Sequence, residues 1–594
     1  ASVLGHSFTA SAVAALSSLP EPQVAAVLDG LVGKQVLARD EDPRSPERGQ
    51  YTFLQALLRT VAYGTLARQA RKAKHVAAAD HLEQTWPGEA REIAEVLASH
   101  LQEAIRADPD ASDVSELRGR ARDRLTAAGQ AAASLALGPE ADRYFEQAAE
   151  LSEDDRERAA LFEQAGRALS KGGDAETAEK RLLSAVVLYQ RSGVPTGGQA
   201  AVQLAGLLRH QLGQIEEARE LLEPFRASAE DMDRVVRAEA LAQLAATLAF
   251  GGNLDEALPL LEDALTTLES EQAWAPLADA LVTRGVYLIW RGRLEEGRGV
   301  LRHAMALAES NEAGDVALRA RANLSQVSIE GDRLVEAVDE ANEAIALARE
   351  RGDREFERKG RGLLVWPLET LGRWDEAVSV GTALMAEEGY LDAVFAAASL
   401  VFIASARGDE AMLERCRSLA AGAAESTYVD RRVCADIVRT REALERGAPD
   451  EALSHAMGGI HHPSLSGDAL RQVYAHAVEA AIALGDDGAM NELAAFVADL
   501  PPARATPLLR AGRARLQAEI AHRAGDEVVA ERFEDEAISL LRSLGARPLL
   551  AQTLLERARR REDPDALSEA RAIYEELGAT RWLQRIAEAS EVAL

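Results

Sequence analysis

Apolar and polar positions recur at helical spacing through most of the chain, and short turn signals break the pattern at regular intervals. Around residue 250, Leu241, Leu244, Ala245 and Leu248 fall on one helical face, Gly251 and Gly252 interrupt it, and Ala257, Leu261 and Ala264 line a second helix. The same arrangement, a glycine followed by Glu-Ala and then apolar residues, returns every ~35–40 residues. Its clearest copies are Gly213 to Ala218, Gly252 to Ala257, Gly292 to Gly297 and Gly372 to Ala377. Weaker copies open at Gly138, Gly173, Asp332, Gly408, Gly447, Gly485 and Gly525, and a degenerate one lies near Asp563. The pattern predicts about twelve helical hairpins stacked as an array over residues 111–594. Each turn glycine closes a first helix at positive φ, the Asp or Asn beside it caps the second, and small residues let the paired helices approach.

The first 110 residues lack that period. Thr9 to Leu16 and Gln23 to Leu31 read as short helices, Gln35 to Arg39 and Gln50 to Phe53 as strands, and Asp40 to Gly49 between them as a wing-like loop. Helices follow from Gln55 to about Leu82. This order predicts a small winged-helix domain with a helical connector over residues 1–110. The chain opens on Ala1 without an initiator methionine and runs at once into apolar sequence, which leads to the expectation of a fragment of a longer polypeptide.

Composition narrows the class. With 594 residues, 67 Lys and Arg against 97 Asp and Glu, a net charge of −30 and 47% hydrophobic residues, the chain is neither a disordered tail nor a collagen-like fibre. No run approaches the ~18 uninterrupted apolar residues of a membrane span, so no membrane partner is expected. Two cysteines give no disulfide framework, and no secretory leader pattern is present, which points to the cytoplasm. A pI near 4.9 disfavours nucleic acid as a partner, because phosphate neutralisation needs clustered Lys and Arg.

The repeats resemble tetratricopeptide repeats. The likeness rests on the small residue of the first helix (Gly166, Gly206, Ala245, Gly285), the turn glycine, the alanine of the second helix (Ala178, Ala218, Ala257, Ala337, Ala377) and the Leu261/Ala264 pair. It implies an all-α protein, a tetratricopeptide-like α-solenoid or superhelix of helix pairs, preceded by the small winged-helix domain. The usual aromatics are missing and the period is longer, so helices or loops should be extended.

The amino-terminal segment resembles the winged-helix part of bacterial signal-transduction ATPases with numerous domains. It is most similar to the kind that carries a class III adenylate or guanylate cyclase domain ahead of the ATPase and tetratricopeptide repeats after it. The residues behind this are Val3 to Phe8, Arg39 to Phe53, Gln55 to Leu66, His75 and Ala77 to Ala79, with Tyr574 to Leu583 at the other end. The resemblance implies that this chain is a regulatory half whose partners are upstream ATPase and cyclase domains of the same polypeptide. It also implies a switch between a closed form that buries ADP and an open, ATP-loaded, oligomeric one.

Catalytic signals are weak. No Gly-x-x-x-x-Gly-Lys-[Ser/Thr] loop occurs; Gly30 to Gln35 has the wrong spacing and no hydroxyl for Mg²⁺. His461-His462 is the only histidine pair and reads as a loop ahead of Pro463, since metal sites need three or four convergent ligands. Cys416 and Cys434 read as small apolar residues on neighbouring helices. The helix holding Arg68, Arg71, Lys72, Lys74 and His75 is the most basic stretch; it reads as a solvated or domain-facing helix more readily than as a DNA reader. The chain is therefore expected not to be an enzyme and to need no cofactor or metal.

Function should lie in the concave groove of the solenoid. In tetratricopeptide register the groove-facing positions include Phe250, Val286, Ile289, Trp290, Gln326, Trp366, Phe395 and Phe402, whereas Glu163, Arg167, Gln203, His210 and Gln211 make an ordinary polar lining earlier on. Such an apolar cluster suggests a pocket for a peptide, a protein or a small-molecule effector. The competing reading is that these aromatics are core, because a one-residue register error rotates each side chain by about 100°. The function expected is a regulatory sensor and interaction module; the alternatives are the repeat region of a bacterial transcription regulator and a free-standing protein-binding scaffold.

Overall fold

In the computed structural model, which describes every residue except 41–48, 87–89, 228–231, 388–391, 427, 461–464, 466 and 593–594, helices begin and end where the turn signals fall. The described residues form thirty α-helices and three short strands, in two units, Ala1–Leu212 and Gly213–Leu594. Among them no helix is long and apolar enough to cross a membrane.

The first unit starts with an antiparallel sheet of β1 (Ser7–Phe8), β2 (Leu37–Arg39) and β3 (Tyr51–Phe53) in the order β1-β3-β2. Helices Ala10–Ser17 and Glu21–Gly33 lie between β1 and β2 in the chain, and Phe8, Leu28, Leu37, Tyr51 and Phe53 bury together. Strand β1 was not expected, because two residues are too few for an alternating pattern to register. The wing-like loop lies, for residues 41–48, outside the described residues. The helical stretch after Gln55 is two helices, Ala56–Gly64 and Arg68–Thr85. A single cluster of buried residues then runs from Ala79 through Leu97, Leu101, Leu125 and Phe145 to Ala168.

Twelve helix pairs follow, from Val114–Ser134 with Gly138–Leu151 to Arg547–Arg561 with Pro564–Leu577, and Thr580–Val592 closes the series. The protein is thus an all-α, tetratricopeptide-like solenoid of helix pairs. Central helices such as Leu254–Ser270 and Leu334–Arg351 have 17 and 18 residues, which accounts for the long period. Where a first helix carries glycine, the partner helix fills the space: a Cβ on Gly166 would stand 2.6 Å from Leu182 Cγ, and one on Gly285 would stand 2.7 Å from Leu301 Cγ. Gly206 is an exception, with nothing within 4 Å.

The turn glycine takes positive φ at most units, whereas the side-chain cap forms at some and is missing at Gln214, Arg293, Arg333 and Arg373. Asp174, Asp409 and Asp526 accept amide hydrogen bonds as N-caps, although Asn253 makes no such bond. One expected opening shifts: in the first pair the left-handed residue is Ala136, while Gly138 begins the second helix and packs on the Ala168 carbonyl. In the last pair Glu562 is left-handed and Asp563 is the N-cap.

In the second unit the first helices of successive pairs pack on one another and form the inner wall. The winding is tight enough that later pairs meet earlier ones: Gly314–Glu330 touches Gly467–Leu484, Arg354–Thr370 touches Arg547–Arg561, and Ala393–Arg407 touches Thr580–Val592. Turn residues make these cross-contacts. Arg407 donates to the Leu577 carbonyl at 3.0 Å, and Gly372, at φ +79°, faces Leu577, whose Cδ2 would lie 2.9 Å from an added Cβ. Gly372→Ala should therefore cost roughly 1–2 kcal/mol, as left-handed strain plus a clash, read as a lowered thermal midpoint with unchanged helicity.

Candidate binding site

The inner wall of the second unit closes around a small cavity of about 40 Å³. Helix Arg354–Thr370 contributes Trp366, Glu369 and Thr370; Ala393–Arg407 contributes Phe402; Gly467–Leu484 contributes Arg471, Gln472, His476 and Glu479. Leu508, Leu549 and Gln552 complete the lining from later pairs. Residues far apart in sequence converge because the winding returns the chain to the same place four or five pairs on.

An ionic latch closes one side of it. Asp332 occupies a turn where most other units have glycine, at φ +56°, and its carboxylate is drawn across the winding: it accepts the Leu508 amide at 2.7 Å and lies 3.1 Å from Arg471 Nε. Arg471 also donates to the Ile329 carbonyl at 2.9 Å, pairs with Glu330 at 3.3 Å and stacks over Trp366 at 5.1 Å. Burial pushes the Glu330 and Asp332 carboxyls up, and Arg471 opposes it. A second buried cation, Arg441, pairs with Glu445 and Glu479 at 2.8 Å and stands 5.7 Å from the Phe402 ring. Burial pushes both carboxyls up, but the Arg441 charge together with the hydrogen bonds they accept outweighs it and holds both below their usual range.

Glu369 stands apart from these pairs. It is 9% exposed, and its carboxyl accepts one hydrogen bond, from Thr370 Oγ1 at 3.2 Å. Burial without a cation pushes it up to about 8, so it is protonated at neutral pH. His476 is held neutral by burial and Arg441, at about 4. Among the described residues no hydrogen bond reaches the Gln472 amide or the His476 ring, so the cavity presents donors and acceptors the protein leaves unused.

The positions expected to line the groove divide into three groups. Trp366 and Phe402 belong to the large core cluster, as the competing reading expected, and also line the cavity, with Phe402 ringed edge-on by Trp374, His476 and Trp582. Phe250 and Trp290 form a half-buried T-shaped pair at 4.7 Å on successive first helices, and Val286 is half-buried on the second of them. Ile289 is core, packed with Leu301 and Val327; Gln326 donates to Glu330 at 3.2 Å beside the latch, and Phe395 meets Tyr428 edge-on. Trp290→Ala should cost about 2 kcal/mol, the worth of an aromatic pair plus the burial of a half-covered ring, with helicity by circular dichroism unchanged.

Sequence reasoning missed Glu369, Arg471, Gln472, His476 and Glu479. One signal was available: Glu369 follows Trp366 by about one helical turn and lies between the apolar run Leu363 to Leu368 and Leu371, an unusual place for a carboxylate.

Elsewhere the chemistry is structural. Lys72 pairs with Asp113, Lys74 donates to the Leu16 carbonyl, and Arg71 donates to the Leu66 carbonyl, so three cations of the basic helix are engaged within the first unit. His75 is buried between Tyr63 and His100 and is lowered to about 4 by burial. Glu163 accepts from Tyr189 and Gln203. Cys416 and Cys434 are buried on neighbouring helices, and burial pushes the Cys416 thiol up to about 12. The His461-His462 pair lies outside the described residues; among those described, no group of three or more His, Cys, Asp or Glu side chains could hold a metal ion.

No protein-family model and no curated protein matches the sequence. Among solved structures, the chain is similar to a signal-transduction ATPase with numerous domains bearing a tetratricopeptide repeat sensor from Pyrococcus horikoshii, at 14% identity and TM-score 0.37. That match covers 70% of this chain and 60% of the other, so the chain spans under two thirds of that protein's length. It is also similar to a Rap protein complexed with competence and sporulation factor (15% identity, 63% of this chain, 99% of that one, TM-score 0.36). A third likeness is to the apo quorum sensor NprR of B. thuringiensis (15%, 61% and 98%, TM-score 0.35).

Proposed function

We propose that the chain is a non-catalytic sensory and interaction module, in which a peptide, protein or small ligand held on the inner wall of residues 213–594 controls ATPase and nucleotide cyclase domains of the same polypeptide. The observation that carries this reading is the convergence of Trp366, Glu369, Phe402 and Gln472 from three inner-wall helices on a cavity where, among the described residues, the Gln472 amide and the His476 ring make no hydrogen bond and Glu369 has no cation. Buried polar groups without partners cost stability, and a purely spacing array gains nothing by keeping them. Residues 1–110 serve as a winged-helix domain and connector, residues 111–594 as the solenoid, and the protein acts in the cytoplasm. The engagement of Arg71, Lys72 and Lys74 within the first unit supports a contact role for the basic helix over DNA reading. The latch between Asp332 and Arg471 supplies an element that a ligand can favour or oppose, and control requires different affinities for its closed and open forms.

The test is native mass spectrometry of the purified full chain beside a denatured control, joined to selection of a random peptide library on the same chain. A retained non-covalent mass, or selected peptides that bind saturably, supports the reading. A clean apo mass with no saturable binder contradicts it.

A further inference from the structure

Four features of the cavity specify a ligand chemistry. First, every charged group facing it except one has an oppositely charged partner. Helix Gly467–Leu484 presents Arg471, matched by Glu330 and Asp332, Glu479, matched by Arg441, and His476, neutral through burial. The other elements packed against Glu369 present the uncharged Ala398, Phe402, Leu508, Leu549 and Gln552, and Trp374 Nε1 donates to the Glu369 main-chain carbonyl at 3.0 Å. Glu369 is left as a carboxyl with no cation.

Second, the walls suit a cation. Trp366 already carries the Arg471 guanidinium at 5.1 Å, and the Phe402 ring lies 5.7 Å from that of Arg441, so aromatic faces here accept positive charge from the protein itself. Third, Gln472 and His476 offer unused hydrogen-bond capacity to the N–H groups of a ligand. Fourth, about 40 Å³ holds roughly three waters, the scale of one ammonium or guanidinium group and too little for a whole peptide.

We propose that this cavity is the receptor for a cationic head group, a primary ammonium or guanidinium, which pairs with the Glu369 carboxylate between Trp366 and Phe402 and bonds to Gln472. The inference rests on the inner wall being a binding surface and names what that surface recognises. Because free Glu369 is protonated up to about pH 8, capture of the cation expels one proton to solvent. Affinity therefore rises about tenfold per pH unit from pH 6 towards 8 and levels off above it, since each unit there removes one tenfold cost of deprotonation.

The experiment is isothermal titration of the full chain with two probes, butylamine for a primary ammonium and N-acetyl-arginine amide for the guanidinium of a peptide side chain, against the uncharged butylurea. Titrations at pH 7 in buffers of different ionisation enthalpy count the protons released. The expected result is binding of at least one cation with close to one proton released, at least tenfold over butylurea. Glu369→Gln, with its melting curve as a folding control, should abolish both the preference and the pH dependence. Tighter butylamine binding assigns the site to a primary ammonium, and tighter acetyl-arginine amide binding to a guanidinium.

Binding of butylurea as tight as the cations, or cation binding without proton release in the native chain, overturns the proposal. If neither cation binds while library-selected peptides still do, the head-group proposal falls and the binding role stands; if nothing binds, both fall.

Discussion

Replacing Arg471 with methionine is expected to destabilise the second unit by about 3–5 kcal/mol, because it strands two buried carboxylates, Glu330 and Asp332, at the place where the winding closes. The side chain is 2% exposed, so solvent cannot take over the lost pairing. The loss should appear in urea unfolding as an early transition followed by the first unit, since a long repeat array need not unfold in one step. Hydrogen bonding to the Ile329 carbonyl and stacking on Trp366 disappear with it, so the turn bearing Asp332 should come free of Leu508. Adding Glu330→Gln and Asp332→Asn to Arg471→Met should restore most of the loss, because removing every member of a buried ionic group is far cheaper than removing one. A single variant as stable as the native chain would mean that the latch is solvated.

Glu369→Gln is expected to stabilise the protein, and by an amount that depends on pH. The folded carboxyl titrates at about 8 against 4.5 for an unperturbed glutamate, so folding takes up a proton between those values. Its contribution is complete below pH 4.5 and is lost as pH rises towards 8, at about 1.4 kcal/mol per pH unit. His476 acts in the opposite sense: its folded value of about 4 against 6.5 gives stability that is complete above 6.5 and lost as pH falls towards 4. The two slopes oppose one another between 4.5 and 6.5, and Glu369 acts without that opposition from 6.5 to 8. The variant, which keeps the shape and cannot ionise, should gain about 4 kcal/mol on the native chain between pH 5 and pH 8. Parallel stability curves in chemical denaturation would contradict the buried, unpaired placement of Glu369.

The fold was legible because its determinants are local. A turn glycine, a following Asp cap and an alanine at the close approach are read within one helical hairpin, and Gly252 with Ala257 and Ala264 announces the pair at Leu254–Ser270 without any distant contact. Asp332 was recognised as standing where glycine belongs, but its reason, the reach to Arg471 and Leu508, lies across the winding. The site was only half legible for the same cause. Helical register placed Trp366, Phe402 and Ile289 among groove-facing positions; all three are buried in core clusters, and Trp366 and Phe402 also border the cavity, as a single-residue register step rotates a side chain by about 100°. Glu369, Gln472 and His476 acquire their meaning only from how many pairs complete one turn of the winding, and that number follows from small rotations accumulated at every helix interface.

The most direct test of the central claim is hydrogen–deuterium exchange of the full chain with and without a peptide selected on it. A ligand seated on the inner wall should slow exchange together in Arg354–Thr370, Ala393–Arg407 and Gly467–Leu484, the three segments that meet at the cavity. Protection confined to the first unit or to the outer second helices, with those three segments unchanged, would contradict the account.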